Sequence, residues 1–269
     1  MQNSEGHPAP HLFTNLGATA TIRTCVLIYR IANGSIAMTE VTLRLCNGQS
    51  AAAYLATPPG GSGPAVLLLH AWWGLNPFFR RQCERIAEEG FVVLAPDFYA
   101  GNVATTQEQA QAYADQLDPV TATATVCAGL DYLLHLDAVT SASARVIGFS
   151  MGAHYALVAA ATRPDDVAAV VLFYGTSDVD VAPARAAVQG HFAKDDPWED
   201  AEWVEQLEQR LRDTGQPVTF YTYDAGHWFV EDDRTDAYAP VEAALAWERT
   251  YAFLRDSACL TTRPDRPMG

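Results

Sequence analysis

Hydrophobic and polar residues alternate with a period of two from Thr39 to Leu45, the pattern of a strand with one buried face. Asn47-Gly48 follows, a pair that favours a type I′ turn, and Ala51 to Ala56 can form the returning strand. A β-hairpin is therefore predicted. Residues 1–37 show no such period, and we expect them to form a flexible N-terminal extension.

Beyond the hairpin, short apolar runs alternate with segments of helical spacing. The runs have the length of strands buried on both faces of a parallel sheet. The predicted strands are 65–69, 91–95, 167–174, 187–193 and 218–223. The predicted helices are 77–89, 105–117, 121–136, 198–213 and 243–255. This alternation predicts an α/β fold with a mostly parallel central sheet and helices on both faces.

One strand pattern, which includes Val146 and Ile147, runs directly into a serine flanked by glycines. Gly148 to Gly152 matches G-x-S-x-G, and residues 153–161 are rich in good helix formers. A serine on a sharp strand-to-helix turn needs small neighbours, and the helix N-terminus points N–H groups to where an oxyanion forms. The pattern indicates a nucleophile at Ser150, and the alternative is a structural turn.

A serine nucleophile needs a histidine base, and the histidine needs a carboxylate that fixes its tautomer. His227 follows the last predicted strand and is the predicted base. The other histidines lie on predicted helices or strands, precede the domain, or follow the first buried strand: His154, His191, His135, His7, His11 and His70. Asp195 and Asp196 both follow the 187–193 strand, and spacing alone does not separate them.

Several motifs in order resemble the dienelactone hydrolase family of α/β hydrolases. These are His70-Ala-Trp-Trp-Gly-Leu-Asn76, Ala95-Pro-Asp-Phe-Tyr99, Gly148-Phe-Ser-Met-Gly152, the Asp195-Asp196 loop, Gly226-His227 and Ala246-Trp-Glu-Arg-Thr250. The resemblance implies that Asp196 is the acid of a Ser150, Asp196 and His227 triad. It also implies an oxyanion hole formed by the backbone N–H groups of Trp72 and Met151.

The chain departs from the family pattern at four positions. The founding members have a cysteine at the position of Ser150 and a glutamate at that of Ala71. They also hold a substrate carboxylate with arginines, where this chain has Gly101 and Glu231. We therefore expect ester or lactone hydrolysis that is not specific for the carboxylate dienelactone.

Aromatic residues follow three of the predicted strands and are candidates for substrate binding. They are Trp73, Phe98, Tyr99 and Trp228. Because alternate residues point to opposite sides, Trp73 or Phe229 is expected in the core.

The amino-acid composition limits which kinds of binding partner are expected. The 269 residues have a formal net charge of −15 with Lys194 as the single lysine, which disfavours nucleic acid and anionic membranes. The five cysteines form no C-x-x-C pair, so neither a metal site nor a disulfide framework is predicted and the expected location is cytoplasmic. We expect a monomer or weak homo-oligomer.

These observations favour a cofactor-free serine hydrolase that cleaves a small-molecule ester or lactone through an acyl-enzyme. The expected catalytic domain covers residues 38–257, and residues 258–269 form a C-terminal tail. A thioesterase or small peptidase with the same triad is an alternative. A non-catalytic binding protein of the same fold is the alternative from another class.

Overall fold

The computed structural model describes residues 25–27 and 35–256. Its strands are β1 (Cys25–Leu27), β2 (Ala37–Arg44), β3 (Ser50–Thr57), β4 (Ala65–Leu69), β5 (Val92–Pro96), β6 (Ala144–Phe149), β7 (Val167–Phe173), β8 (Ala187–Asp195) and β9 (Val218–Gly226). Its helices are α1 (Pro77–Glu88), α2 (Gln107–Gln116), α3 (Pro119–His135), α4 (Met151–Thr162), α5 (Ala201–Arg212) and α6 (Pro240–Asp256). The expected tail over 258–269 lies outside the described residues.

The described strands form one sheet in the order β1-β2-β3-β5-β4-β6-β7-β8-β9. β1, β2, β3 and β5 pair antiparallel, and from β5 to β9 every pairing is parallel. The predicted α/β fold is confirmed, and so is the predicted hairpin of β2 and β3. Because parallel strands end at one edge, the loops after β4, β5, β6, β8 and β9 meet there.

The core lies in two layers, one on each face of the sheet. α1 and α6 cover one face with side chains such as Phe79 and Trp247. α3, α4 and α5 cover the other face with side chains such as Leu130, Leu157 and Leu207. The near-absence of polar positions in β4 to β7 follows from this double burial.

Helix starts follow the capping rules. Asn76 Oδ1 accepts the Phe79 N–H at 3.2 Å, and Pro77 occupies the first helical turn of α1. Asp118 caps α3 in the same way by accepting the Thr121 N–H at 3.0 Å. These caps fix where α1 and α3 leave the edge that carries the strand ends.

Part of the expected N-terminal extension forms a strand. Cys25, Val26 and Leu27 pair antiparallel with Glu40, Thr39 and Met38 of β2. The remainder of residues 1–37 is described only from Ser35 onwards, and its flexibility stays a prediction. Across the described ranges, no helix has the length and apolar character needed to cross a membrane.

Candidate active site

Ser150 lies at the turn between β6 and α4 in a strained backbone conformation with a positive φ of 49° and a ψ of −115°. Its N–H donates to the Phe173 carbonyl at 2.8 Å, which ties the turn to the next strand. A Cβ on Gly148 would collide with the Gly152 carbonyl, and one on Gly152 would collide with the Leu69 carbonyl. The glycines of the motif are therefore required by close backbone packing.

His227 follows β9 and lies between Ser150 and Asp196. Its Nε2 is 3.0 Å from Ser150 Oγ, and its Nδ1 is 2.7 Å from Asp196 Oδ2. The side chains of His227 and Asp196 are 3% and 2% exposed. Because a carboxylate accepts only, Nδ1–H donates to Asp196 and the Nε2 lone pair faces the serine hydroxyl.

The loop after β8 decides which aspartate faces the histidine. Asp195 is the last residue of β8, is exposed, and pairs with Gly226. Asp196 begins a turn in which its Oδ1 accepts the backbone N–H groups of Trp198 at 2.9 Å and Glu199 at 3.2 Å. The turn leaves Oδ2 aimed at His227, so the structure brings Asp196 and not Asp195 to the histidine.

The amides of Trp72 and Met151 lie at the turn after β4 and at the first residue of α4. The first N–H groups of a helix have no intrahelical acceptor. Among the described turns, loops and caps, neither amide donates to a backbone carbonyl. Both are therefore free to donate to a substrate oxygen.

His70 joins the turn that carries Trp72 to the loop after β5. Its Nδ1 is 2.7 Å from the Ala71 carbonyl, and its Nε2 accepts the Phe98 N–H at 3.1 Å. The ring is fully buried, and burial lowers its pKa. A neutral ring with Nδ1–H as donor and Nε2 as acceptor satisfies both contacts.

Three tryptophans form a cluster next to His227, whose ring contacts that of Trp228 with centroids 5.0 Å apart. Trp72 stacks on Trp228 with centroids 6.3 Å apart and planes inclined by 18°. Trp198 packs edge-on against Trp72 at 5.2 Å and is 44% exposed. Trp198 was not a predicted site residue. Its position two residues after Asp196, in the loop that carries the acid, is the sequence feature that could have indicated it.

Two of the aromatic residues after the strands belong to the core. Phe229 has no exposed surface, in agreement with the expectation that Trp73 or Phe229 lies in the core. Trp73, a predicted substrate contact, is only 2% exposed and lies under Trp228 with centroids 5.5 Å apart. The Arg234 guanidinium covers its ring at 3.4 Å. The alternation along the chain turns Trp73 inward, which corrects that expectation.

A cavity of about 270 Å³ opens beside the loop after β5. It is lined by Phe98, Tyr99, Tyr113 and Leu117 and, on its polar side, by Asn102, Gln116, Asp118 and Thr121. Tyr99 Oη contacts Met151 Sδ at 3.3 Å, so the cavity adjoins the start of α4. Phe98 and Tyr99 therefore line a space next to the residue that follows Ser150.

Glu231 differs from its expected placement near the substrate. It has no exposed surface, and its Oε1 accepts the Tyr174 hydroxyl at 2.8 Å. Burial raises its pKa to about 8. The side chain points into the protein, so it does not repel a substrate carboxylate directly.

Over residues 25–27 and 35–256, no group of three or more histidine, cysteine, aspartate and glutamate side chains is arranged to hold a metal ion. Cys83 is buried, and burial raises the pKa of its thiol well above the usual range. Among the described residues, Ser150 is the hydroxyl whose histidine partner is itself hydrogen-bonded to a carboxylate, that of Asp196.

The sequence model of the dienelactone hydrolase family matches residues 51–258. The chain belongs to the dienelactone hydrolase family. Members of this family are hydrolytic enzymes, and the chain is accordingly an enzyme with the α/β-hydrolase fold.

Named relatives and solved structures agree with this membership. The chain is 32% identical over 247 residues to a Bradyrhizobium sp. protein named as a probable 2-oxo-3-(5-oxofuran-2-ylidene)propanoate lactonase, covering 85% of this chain and 98% of that protein. It is 32% identical over 215 residues to a carboxymethylenebutenolidase of Rhodococcus opacus, covering 74% and 83%. A putative dienelactone hydrolase structure from Klebsiella pneumoniae superposes with a TM-score of 0.74 at 23% identity, covering 82% and 99%, which shows the shared fold.

Proposed function

We propose that this family member is a serine hydrolase that cleaves carboxylic esters or lactones through an acyl-enzyme. The observation that carries the proposal is the hydrogen-bonded series from Ser150 through His227 to Asp196, at 3.0 Å and 2.7 Å. Distances of this size allow a proton to pass from the serine hydroxyl to Nε2. Ser177 Oγ lies 2.8 Å from His154 Nδ1, but among the described residues no carboxylate is hydrogen-bonded to His154.

In the proposed reaction Ser150 Oγ attacks the carbonyl carbon while its proton moves to His227 Nε2. The carbonyl oxygen becomes an oxyanion, to which the Trp72 and Met151 amides donate. His227 then gives the proton to the leaving alcohol oxygen, and the ester bond breaks. Water repeats the sequence on the acyl-enzyme, which releases the acid and restores Ser150.

The acyl group is proposed to occupy the cavity lined by Phe98, Tyr99 and Tyr113. The contact of Tyr99 with Met151 supports this, since the Met151 amide is a proposed oxyanion donor. Half of the eight lining residues are aromatic or aliphatic and the others are polar, and the single charged member is the carboxylate of Asp118. Uncharged acyl groups are the substrates that such a lining favours. A cytoplasmic location and a monomeric or weakly oligomeric state remain predictions from the sequence.

Fluorophosphonate labelling combined with Ser150→Ala tests the nucleophile. Wild-type protein should be labelled and inactivated, and Ser150→Ala should lose both labelling and p-nitrophenyl acetate hydrolysis at an unchanged melting temperature. Ser177→Ala is a control on a serine outside the elbow and should keep both. Full turnover by Ser150→Ala, or complete inactivation of the wild type by a thiol reagent without unfolding, would contradict the proposal.

A further inference from the structure

A second buried carboxylate, Glu231, lies four residues after His227 in the chain. Glu231 has no exposed surface, and its Oε1 accepts the Tyr174 hydroxyl at 2.8 Å. Its Oε2 has no hydrogen-bond partner among the described residues. A half-satisfied buried carboxylate destabilises a fold, and the proposed reaction assigns it no role.

Tyr174 links this carboxylate to the histidine. Its ring contacts the His227 ring with centroids 4.8 Å apart and planes inclined by 58°. Tyr174 is fully buried, so its ring and hydroxyl cannot turn to solvent. The hydroxyl stays protonated because burial raises its pKa well above the usual range, and it therefore remains a donor to Glu231.

The backbone at Tyr174 is tied to the nucleophile turn. Tyr174 has a positive φ of 37°, and its N–H donates to the His191 carbonyl at 2.8 Å. A Cβ on the next residue, Gly175, would lie only 2.9 Å from the Ser150 Cα. Tyr174 is thus held between β8, the serine turn and the histidine ring, and it transmits the position of Glu231 to both.

The charges around Glu231 compensate it only in part. Arg234 Nε lies 4.0 Å from Oε2 without a hydrogen bond, because its guanidinium stacks on Trp73. Asp233 adds negative charge on the same loop. From α1, Arg81 faces Asp232 at 2.5 Å. An ionised Glu231 therefore keeps a net negative charge in a buried, low-dielectric region, with the Tyr174 ring in contact with His227.

We propose that Glu231, acting through Tyr174, is a positioning residue that holds the His227 ring and, when ionised, stabilises the positive charge that the ring acquires from Ser150. The inference rests on the proposed function. Glu231 itself neither gives nor takes a proton in the cycle, since the proton moves from Ser150 Oγ to His227 Nε2 and on to the leaving group. Its ionisation state sets the field in which that transfer occurs.

The first test is the pH dependence of kcat/KM for an uncharged ester. The pKa of Glu231 is raised to about 8 by burial, so wild-type kcat/KM should rise by roughly threefold to tenfold across that region. In Glu231→Gln the amide oxygen still accepts from Tyr174, but no charge forms. This variant should match the wild type at acidic pH and lack the alkaline rise.

Two variants that retain Glu231 should shift the alkaline rise in kcat/KM along the pH axis in opposite directions. The Tyr174 hydrogen bond lowers the Glu231 pKa, so Tyr174→Phe should shift the rise to higher pH. Asp233 raises the same pKa, so Asp233→Asn should shift it to lower pH. Glu208→Gln, a control on the exposed face of α5, should leave the profile unchanged. These shifts test the inference even if Glu231→Gln folds poorly.

A readout without turnover separates this inference from the proposed function. In Ser150→Ala, the imidazole NMR signals of His227 should show a change near pH 8 that Glu231→Gln removes. If Ser150→Ala kept full esterase activity, the proposed function would fall while the NMR signals still reported on Glu231. An alkaline rise that persists in Glu231→Gln, with His227 signals unaffected, would overturn the inference.

Discussion

Trp198 donates its backbone N–H to Asp196 Oδ1 at 2.9 Å, and this contact turns the other carboxylate oxygen toward His227. The turn includes Pro197, so the chain reverses immediately after Asp195. The side chain of Asp195, one residue earlier, is exposed to solvent.

We expect Asp196→Asn to lower kcat by roughly 10³-fold to 10⁴-fold, because an amide at this position favours the wrong histidine tautomer. Asp195→Asn is the matched control and should change kcat by less than about twofold. Steady-state kinetics with p-nitrophenyl acetate measures both. Equal losses of kcat in the two variants would show that Asp196 does not have the acid role assigned to it here.

His70→Phe should lower both the melting temperature and kcat. The substitution keeps a ring among Phe98 and Tyr99 but leaves the Ala71 carbonyl and the Phe98 N–H without their partner. Each unsatisfied buried group costs about 1–3 kcal/mol. Thermal unfolding and kcat should fall together, since the turn that carries the Trp72 amide loses its support. An unchanged kcat in a destabilised variant would limit His70 to a structural role.

Tyr113→Ala should change which acyl chains are accepted. Tyr113 forms one wall of the cavity of about 270 Å³, and its removal enlarges that space. With p-nitrophenyl esters from acetate to octanoate, the variant should favour the longer chains by about tenfold relative to wild type, since each pocket methylene contributes about 1–3 kcal/mol. Tyr238→Ala, at an exposed tyrosine outside this cavity, should keep the wild-type order.

Uncharged esters should be better substrates than their anionic counterparts. Arg80 pairs with Glu40, Arg81 pairs with Asp232, and Arg234 covers Trp73, so these cations are engaged away from the cavity. p-Nitrophenyl butyrate should therefore exceed p-nitrophenyl hemisuccinate in kcat/KM by about tenfold. Added salt should narrow the difference by screening. A preference for the hemisuccinate would require a cation at the cavity.

Glu231 should make the fold less stable as pH rises. Its pKa is about 8 in the folded protein against an ordinary value of 4.5, so between these values the folded state binds more protons than the unfolded state. The free energy of unfolding should therefore fall across this window, on the order of 5 kcal/mol from this group. Urea unfolding of Glu231→Gln should lack that loss. If the free energy of unfolding fell equally with pH in the variant and the wild type, this prediction would be contradicted.

Much of the fold was predictable because its signals are local. Strands β4 to β7 are buried on both faces of the sheet, so they appear in the sequence as continuous apolar runs. The glycines on either side of Ser150 indicate the turn within a motif of five residues. His227 was predictable because it follows the last strand at the edge where the strand ends meet. These features depend on neighbours in sequence or on the order of the elements.

The rest depends on directions that a one-dimensional pattern does not contain. Glu231 and Tyr174 are 57 residues apart, and nothing along the chain indicates that their side chains meet in the interior. The choice between Asp195 and Asp196 depends on a reversal of the backbone at one residue, and only the family resemblance indicated it. The contact of Trp198 with Trp72 joins loops 126 positions apart in the sequence (198 − 72).

The carboxylate of Asp118 at the cavity has a consequence for the end of the catalytic cycle. Hydrolysis converts an uncharged acyl group into an acid that is ionised at neutral pH. On the proposed function, the product therefore acquires a charge of the same sign as Asp118, on a chain of net charge −15, and we expect it to be repelled from the cavity proposed to bind the acyl group. We therefore expect weak inhibition by the free acid, so that the hydrolysis rate stays nearly constant as this product accumulates.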